Sequence, residues 1–180
     1  MSTHVYDPTE LAQSHLPQVT EPRNPGMPLD MDWVRAVQVN SSAVERRAAG
    51  LPARRSVKKE YQAAWLLRAV SCIDLTTLSG DDTARRVERL CAKARQPIAP
   101  ALLDALGMSQ ITVGAVCVYH EMIAPAKAAL QGTGIPIAAV STGFPAGLSP
   151  FELRLREIEM SVAAGAAEID IVISRRHVLS

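Results

Sequence analysis

Gly165-Ala-Ala-Glu-Ile-Asp-Ile-Val-Ile-Ser174 is the stretch on which the reading of the fold turns. Glu168 to Ile173 has the composition of a β-strand: Ile169, Ile171, Val172 and Ile173 are branched and apolar, and the run is too short for a helix. A nearly continuous apolar strand predicts burial on both faces, as in parallel strands covered by helices. One carboxylate, Asp170, interrupts the run. Burying an unpaired charge among aliphatics costs roughly several kcal/mol, so Asp170 needs a partner or a task. On these residues alone two readings stand level: a buried ion pair or loop hydrogen bond, and a proton-transfer group in a strand-lined site.

Upstream of this strand, elements alternate. Val70 to Leu75 reads as a strand, followed by a Gly80-Asp-Asp82 turn and N-cap. A helix with Val87, Leu90, Cys91 and Ala94 on one face comes next, then a short helix within Pro97 to Gly107. Ile111 to Val118 is the second strand, Glu121 to Gln131 a helix with Ile123, Ala126 and Leu130 inward, and Ile135 to Thr142 the third strand. Ser149-Pro-Phe-Glu152 fits a capping box for a helix that buries Phe151, Leu155, Ile158 and Val162 and closes at Gly165. Strand–helix alternation of this kind specifies a parallel α/β sheet with right-handed crossovers. Periodicity leaves an open doubly wound sheet and a (β/α)₈ barrel both standing. There is no GxGxxG after the first strand and no GxxxxGK[ST] anywhere, which removes the usual evidence for nucleotide-binding folds. Polar residues gather instead at the carboxyl ends of strands (Asp74 and Thr76, Cys117 and Tyr119, Ser141 and Thr142, Asp170 and Ser174), where barrels place their chemistry.

The first 29 residues carry five prolines and little apolar periodicity, and are expected to be a disordered leader. Residues 30–69 read as a helical segment: Asp30 to Val39 with Trp33 as apolar anchor, Ser42 to Ala49 ended by Gly50 and Pro52, and Val57 to Val70 capped by Ser56 with Tyr61, Ala64, Trp65 and Leu67 on its apolar side. The cluster Arg46, Arg47, Arg54, Arg55, Lys58 and Lys59 lacks interleaved aromatics and reads as a solvated surface. The net charge of +1 supports neither a nucleic-acid nor a membrane partner, and no apolar run is long enough to span a bilayer. Without a signal or transit pattern the chain is expected to be cytoplasmic. Cys72, Cys91 and Cys117 are odd in number and far apart, and read as reduced thiols. Neither they nor the four scattered histidines have metal-ligand spacing.

Four segments in order, Ile73-Asp-Leu-Thr-Thr-Leu-Ser-Gly-Asp-Asp-Thr83, Ala115-Val-Cys-Val-Tyr119, Ala139-Val-Ser-Thr-Gly-Phe-Pro-Ala-Gly147 and Gly165 to Ile173, together resemble the 2-deoxyribose-5-phosphate aldolase family. Its animal-type members also resemble Trp33 to Leu67, so the likeness runs from about Asp30 to the end. The resemblance implies a (β/α)₈ class I aldolase, with residues 70–180 as its N-terminal half. Such an enzyme cleaves 2-deoxy-D-ribose 5-phosphate, a phosphosugar, to D-glyceraldehyde 3-phosphate and acetaldehyde in deoxyribonucleoside catabolism, with no metal or organic cofactor. A strand lysine forms the Schiff base, a second lysine lowers its pKa, and an aspartate with ordered water relays protons. Asp170 matches that aspartate, which moves it from the open choice above toward function. Asp74 and Thr76 match first-strand substrate-side positions, and Cys117 a cysteine lining the pocket. For Cys117 a small buried hydrophobe is an equal reading, and Asp74 equally reads as a support for Thr76 and the Gly80 turn.

Two departures stand out. The family has proline where this chain has His120, which loosens the following loop without making His120 a base. More fundamentally, a barrel of this class takes ~250 residues, and this chain stops about halfway, before the strands that carry both lysines and the phosphate loops. Its four lysines, Lys58, Lys59, Lys93 and Lys127, all fall on predicted helices, so none can be assigned the Schiff base. The alternative to half an aldolase is a non-catalytic half-barrel acting as a binding module. A different lyase relying on Asp170 alone is a third reading. A lone half could also form a homo-oligomer to cover its open edge.

Overall fold

The computed structural model describes residues 28–54 and 57–179, which fall into two compact units divided between residues 63 and 64. In the first unit, α1 (Met31–Ala36) is capped by Asp30, whose carboxylate accepts the N–H groups of Asp32 at 2.9 Å and Trp33 at 3.1 Å. Helix α2 (Ser41–Gly50) is capped in the same way by Asn40, one residue earlier than expected. Neither helix buries a residue. Trp33, expected as an anchor, is 66% exposed, because a helix of six residues has too little face to enclose it. Helix α3 (Lys59–Val70) carries the division, and its expected apolar side, Tyr61 and Trp65, is also exposed. Lys58 precedes this helix and does not lie on it. Ser56, its expected cap, and most of the expected leader lie outside the described residues.

The second unit is built on four strands, β1 (Asp74–Thr76), β2 (Ala115–Val118), β3 (Ile137–Ser141) and β4 (Glu168–Ile171). They pair in parallel in sequence order, β1-β2-β3-β4. Registers are direct: Thr76 lies opposite Cys117, Cys117 opposite Ala138, and Val140 opposite Asp170. Between the strands run α4 (Ala84–Arg95), the short α5 (Pro100–Ala105), a 3₁₀ turn (His120–Met122) continuing into α6 (Ile123–Ala129), and α7 (Phe151–Ala164); α8 (Arg175–Leu179) follows β4.

Burial explains which apolar patterns became elements. Val87, Cys91 and Ala94 of α4 and Ile123 and Ala126 of α6 are fully enclosed against Val116, Val118 and Ala139 of the central strands. At ~25 cal/mol per Å² of apolar surface removed from water, this cluster is the main stabilising term of the unit. Helix α4 is capped by Thr83, whose hydroxyl accepts from Arg86 N–H, and not by the Gly80–Asp82 turn. Helix α7 also departs from expectation. Pro150 is extended at φ −50°, ψ 145°, so the helix begins at Phe151 with Pro150 in the cap position and no side-chain cap. Ser149 is thus one residue too early, and the capping box does not form. Of this helix only Ser161 is buried; Phe151 is 61% exposed, and Leu155, Ile158 and Val162 are half-buried. The reason is its place: α7 packs over β3 and β4, and β4 is the sheet edge among the described residues. At its other end Gly165 supplies the left-handed cap, φ +115°.

Candidate active site

Pleating splits the sheet into two faces of different chemistry. Leu75, Val116, Val118, Ile137, Ala139 and Ile169 point to the helices. The opposite face carries Ala115, Cys117, Ala138 and Val140, with Leu78, Tyr119 and Phe144 packed over them. Alternation and register put Asp74, Thr76, Glu168 and Asp170 on that same face. The four residues singled out in the sequence, Asp74, Thr76, Cys117 and Asp170, therefore share one side of one sheet. Glu168, a third carboxylate there, was missed, although its spacing of two from Asp170 on a strand was the signal available.

Asp170 is not buried as the apolar run predicted. It is exposed, as is Ile171 at 62%, because β4 pairs with β3 alone and nothing among the described residues covers its other edge. The desolvation argument that first singled it out therefore does not hold for this chain as it stands. Asp74 and Thr76 are likewise exposed on β1, at the other edge. Thr76 donates its hydroxyl to the Asp74 carbonyl at 2.7 Å.

Cys117 is the enclosed member, 3% exposed. Burial pushes its thiol up from the ordinary value, the Asp170 carboxylate pushes the same way, and Asp74 and Glu168 add to it; a hydrogen bond with Thr76 opposes them. The upward shift favours the neutral thiol over the nucleophilic thiolate. Tyr119 and Phe144 meet edge to face with ring centroids 6.0 Å apart and wall the site beside it.

The loop after β1 is fastened by carboxylates. Asp82 accepts the Thr77 hydroxyl at 3.0 and 2.9 Å, Ser79 N–H at 3.0 Å and an Arg86 guanidinium N–H at 3.1 Å. Burial pushes the Asp82 carboxyl up, but these hydrogen bonds outweigh it and hold it below the ordinary value. Asp81, bonded to Arg86 and Ser79, is held down at about 2. This brace carries Leu78 over the Cys117 face. His120 Nδ1 lies 3.0 Å from the buried Ser161 hydroxyl, which ties the 3₁₀ turn to α7 where proline was expected.

Within this unit neither lysine joins this face: Lys93 is on α4 and Lys127 on α6, while Lys59 opens α3 and Lys58 precedes it. Among the described residues no group of three or more His, Cys, Asp or Glu is placed to hold a metal, and no helix is long and apolar enough to cross a membrane.

No protein-family model matches the chain. Over 159 residues, 86% of this chain, it is 56% identical to the deoxyribose-phosphate aldolase of Mus musculus and 55% identical to that of Bos taurus. The chain is a relative of the deoxyribose-phosphate aldolases. It spans about half the length of these curated relatives, 50% in each. A solved Toxoplasma gondii structure, described as a candidate deoxyribose-phosphate aldolase, aligns with a TM-score of 0.50 at 20% identity, over 64% of this chain and 40% of that one. The four-stranded parallel sheet with its intervening helices accordingly matches part of a (β/α) barrel.

Proposed function

We propose that this chain supplies the proton-relay half of a deoxyribose-phosphate aldolase, cleaving 2-deoxy-D-ribose 5-phosphate to D-glyceraldehyde 3-phosphate and acetaldehyde in cytoplasmic deoxyribonucleoside catabolism. One observation carries the reading: the eight strand residues of the candidate face include three carboxylates, Asp74, Glu168 and Asp170, and no cation. Such a face is complementary to an iminium cation. Each carboxylate about 4 Å from it would contribute on the order of 1–4 kcal/mol at the effective dielectric of a surface or partly enclosed site. A second copy closing the same barrel would instead confront these carboxylates with an identical set, so the favoured partner brings lysines.

In this reading the amine comes from strands outside the chain. It condenses with the C1 aldehyde, loses water, and as the iminium draws electrons from the C2–C3 bond. Asp170, through water, takes the C3 hydroxyl proton as that bond breaks and glyceraldehyde 3-phosphate leaves. The same group returns a proton to C2 of the remaining enamine, and hydrolysis then frees acetaldehyde and the amine. Cys117 and Thr76 line the two-carbon end, and Asp74 fixes the Thr76 turn and the local charge.

The test is complementation. The chain is mixed with the separately expressed half of the Mus musculus relative that it does not match, and glyceraldehyde 3-phosphate is followed. Turnover on mixing, reduced ~10²–10⁴-fold by Asp170→Asn, is the expected result. Mixed halves that co-purify as a folded complex yet fail to turn over substrate would reject the reading.

A further inference from the structure

Strand β3 ends at Ser141, and the next residue, Thr142, takes φ +63°. That left-handed conformation is strained for a β-branched residue and persists only where its surroundings hold it. What holds Thr142 is its own hydroxyl. The oxygen accepts the N–H of Val172 at 2.9 Å, and its proton has two acceptors in reach, the carbonyls of Ser141 at 2.6 Å and Val172 at 3.2 Å. Where the β3 backbone turns out of the ladder, the threonine side chain takes over a backbone group's role toward the neighbouring strand. A second tie lies two residues on. The buried Ser174 donates its hydroxyl to Gly147 O at 2.6 Å and accepts from Arg154 Nη1 at 2.9 Å.

Both ties grip the segment just after β4. That strand has four residues and, among the described residues, pairs on one side only, the situation in which strand ends fray. Asp170 lies two residues before Val172 and has no side-chain anchor of its own among the hydrogen bonds of the described residues. We propose that Thr142 is a positioning residue for Asp170: it closes the β3–β4 ladder beyond Ser141 and thereby fixes the direction in which the carboxylate is presented. The proposal rests on the reading of Asp170 as the proton relay, while its geometry stands apart from that reading.

Nuclear magnetic resonance of the 180-residue chain tests it, through Val172 amide exchange and the χ1 couplings of Asp170. Thr142→Val keeps shape and backbone strain and removes the hydroxyl; Thr142→Gly removes the hydroxyl and the strain together; Thr142→Ser keeps the hydroxyl. Expected are a tenfold or greater acceleration of Val172 exchange and rotamer-averaged Asp170 couplings in the valine and glycine variants, with serine within twofold of the parent. Should valine not fold, glycine carries the comparison, since it relieves the left-handed backbone. Unchanged Val172 exchange overturns the proposal, as does faster exchange with Asp170 couplings unmoved, which would make Thr142 a local staple only. If the couplings change as expected while the complemented protein shows no turnover, the aldolase reading fails and the clamp remains.

Discussion

Cys117 and Cys72 differ in surroundings more than in chemistry. Cys117 is 3% exposed beneath the carboxylate-bearing face and its thiol is pushed up, chiefly by burial, whereas Cys72 is exposed. Iodoacetamide at pH 8, with intact mass and peptide mapping, should modify Cys72 first and leave Cys117 protected in the native chain. The raised value also sets a pH dependence. Folding favours the neutral thiol, so the stability this represents is fully present below the unfolded thiol's ordinary value. It is lost as pH rises through the higher folded value. Urea midpoints should therefore fall on the alkaline side, and Cys117→Ala should show a shallower fall than the parent. Asp170 shows what residue-level reading could and could not reach. Its identity as the odd residue in an aliphatic run was legible, and so, by strand alternation, was the face it shares with Glu168. Its exposure was not, because burial of a strand depends on the neighbours it finds, and among the described residues β4 has β3 alone.

Helix starts separate local sequence signals from realised structure. Thr83 caps α4 through its hydroxyl, while Ser149, in a better-looking motif, caps nothing because Pro150 sets the helix start one residue later. Thr83→Ala should cost about 1 kcal/mol, within the range for a lost N-cap. Ser149→Ala should stay within ~0.5 kcal/mol, as for surface changes without a specific role; thermal or urea unfolding of the two variants decides between them. The strand–helix order from β1 to β4 was readable, since Val87, Cys91, Ile123 and Ala126 lie at helical spacing and all proved fully buried, whereas α8 after β4 was not foreseen. Strand lengths were overread. Ile111 to Gly114 and Val70 to Ile73 carry strand-like composition but lie outside the ladder, whose pairing begins at Asp74 and Ala115. The faces of Trp33, Tyr61 and Trp65 were read as buried from periodicity, which marks an apolar side without saying what covers it.

At the scale of the molecule, a four-stranded parallel sheet presents three carboxylates, a thiol and a hydroxyl on one face, while the two lysines of the same unit, Lys93 and Lys127, lie on α4 and α6, which pack on its other face. The relatives that match 86% of this chain are twice as long as their matched part. In the proposed reading the division of labour is specific: proton transfer falls to this chain and the Schiff base to its complement. Borohydride reduction of the purified 180-residue chain with deoxyribose 5-phosphate, read by intact mass, tests this directly. The predicted result is an unchanged mass. A substrate-dependent adduct on Lys58, Lys59, Lys93 or Lys127 would contradict it, and would place the reacting amine somewhere other than the face that holds Asp170.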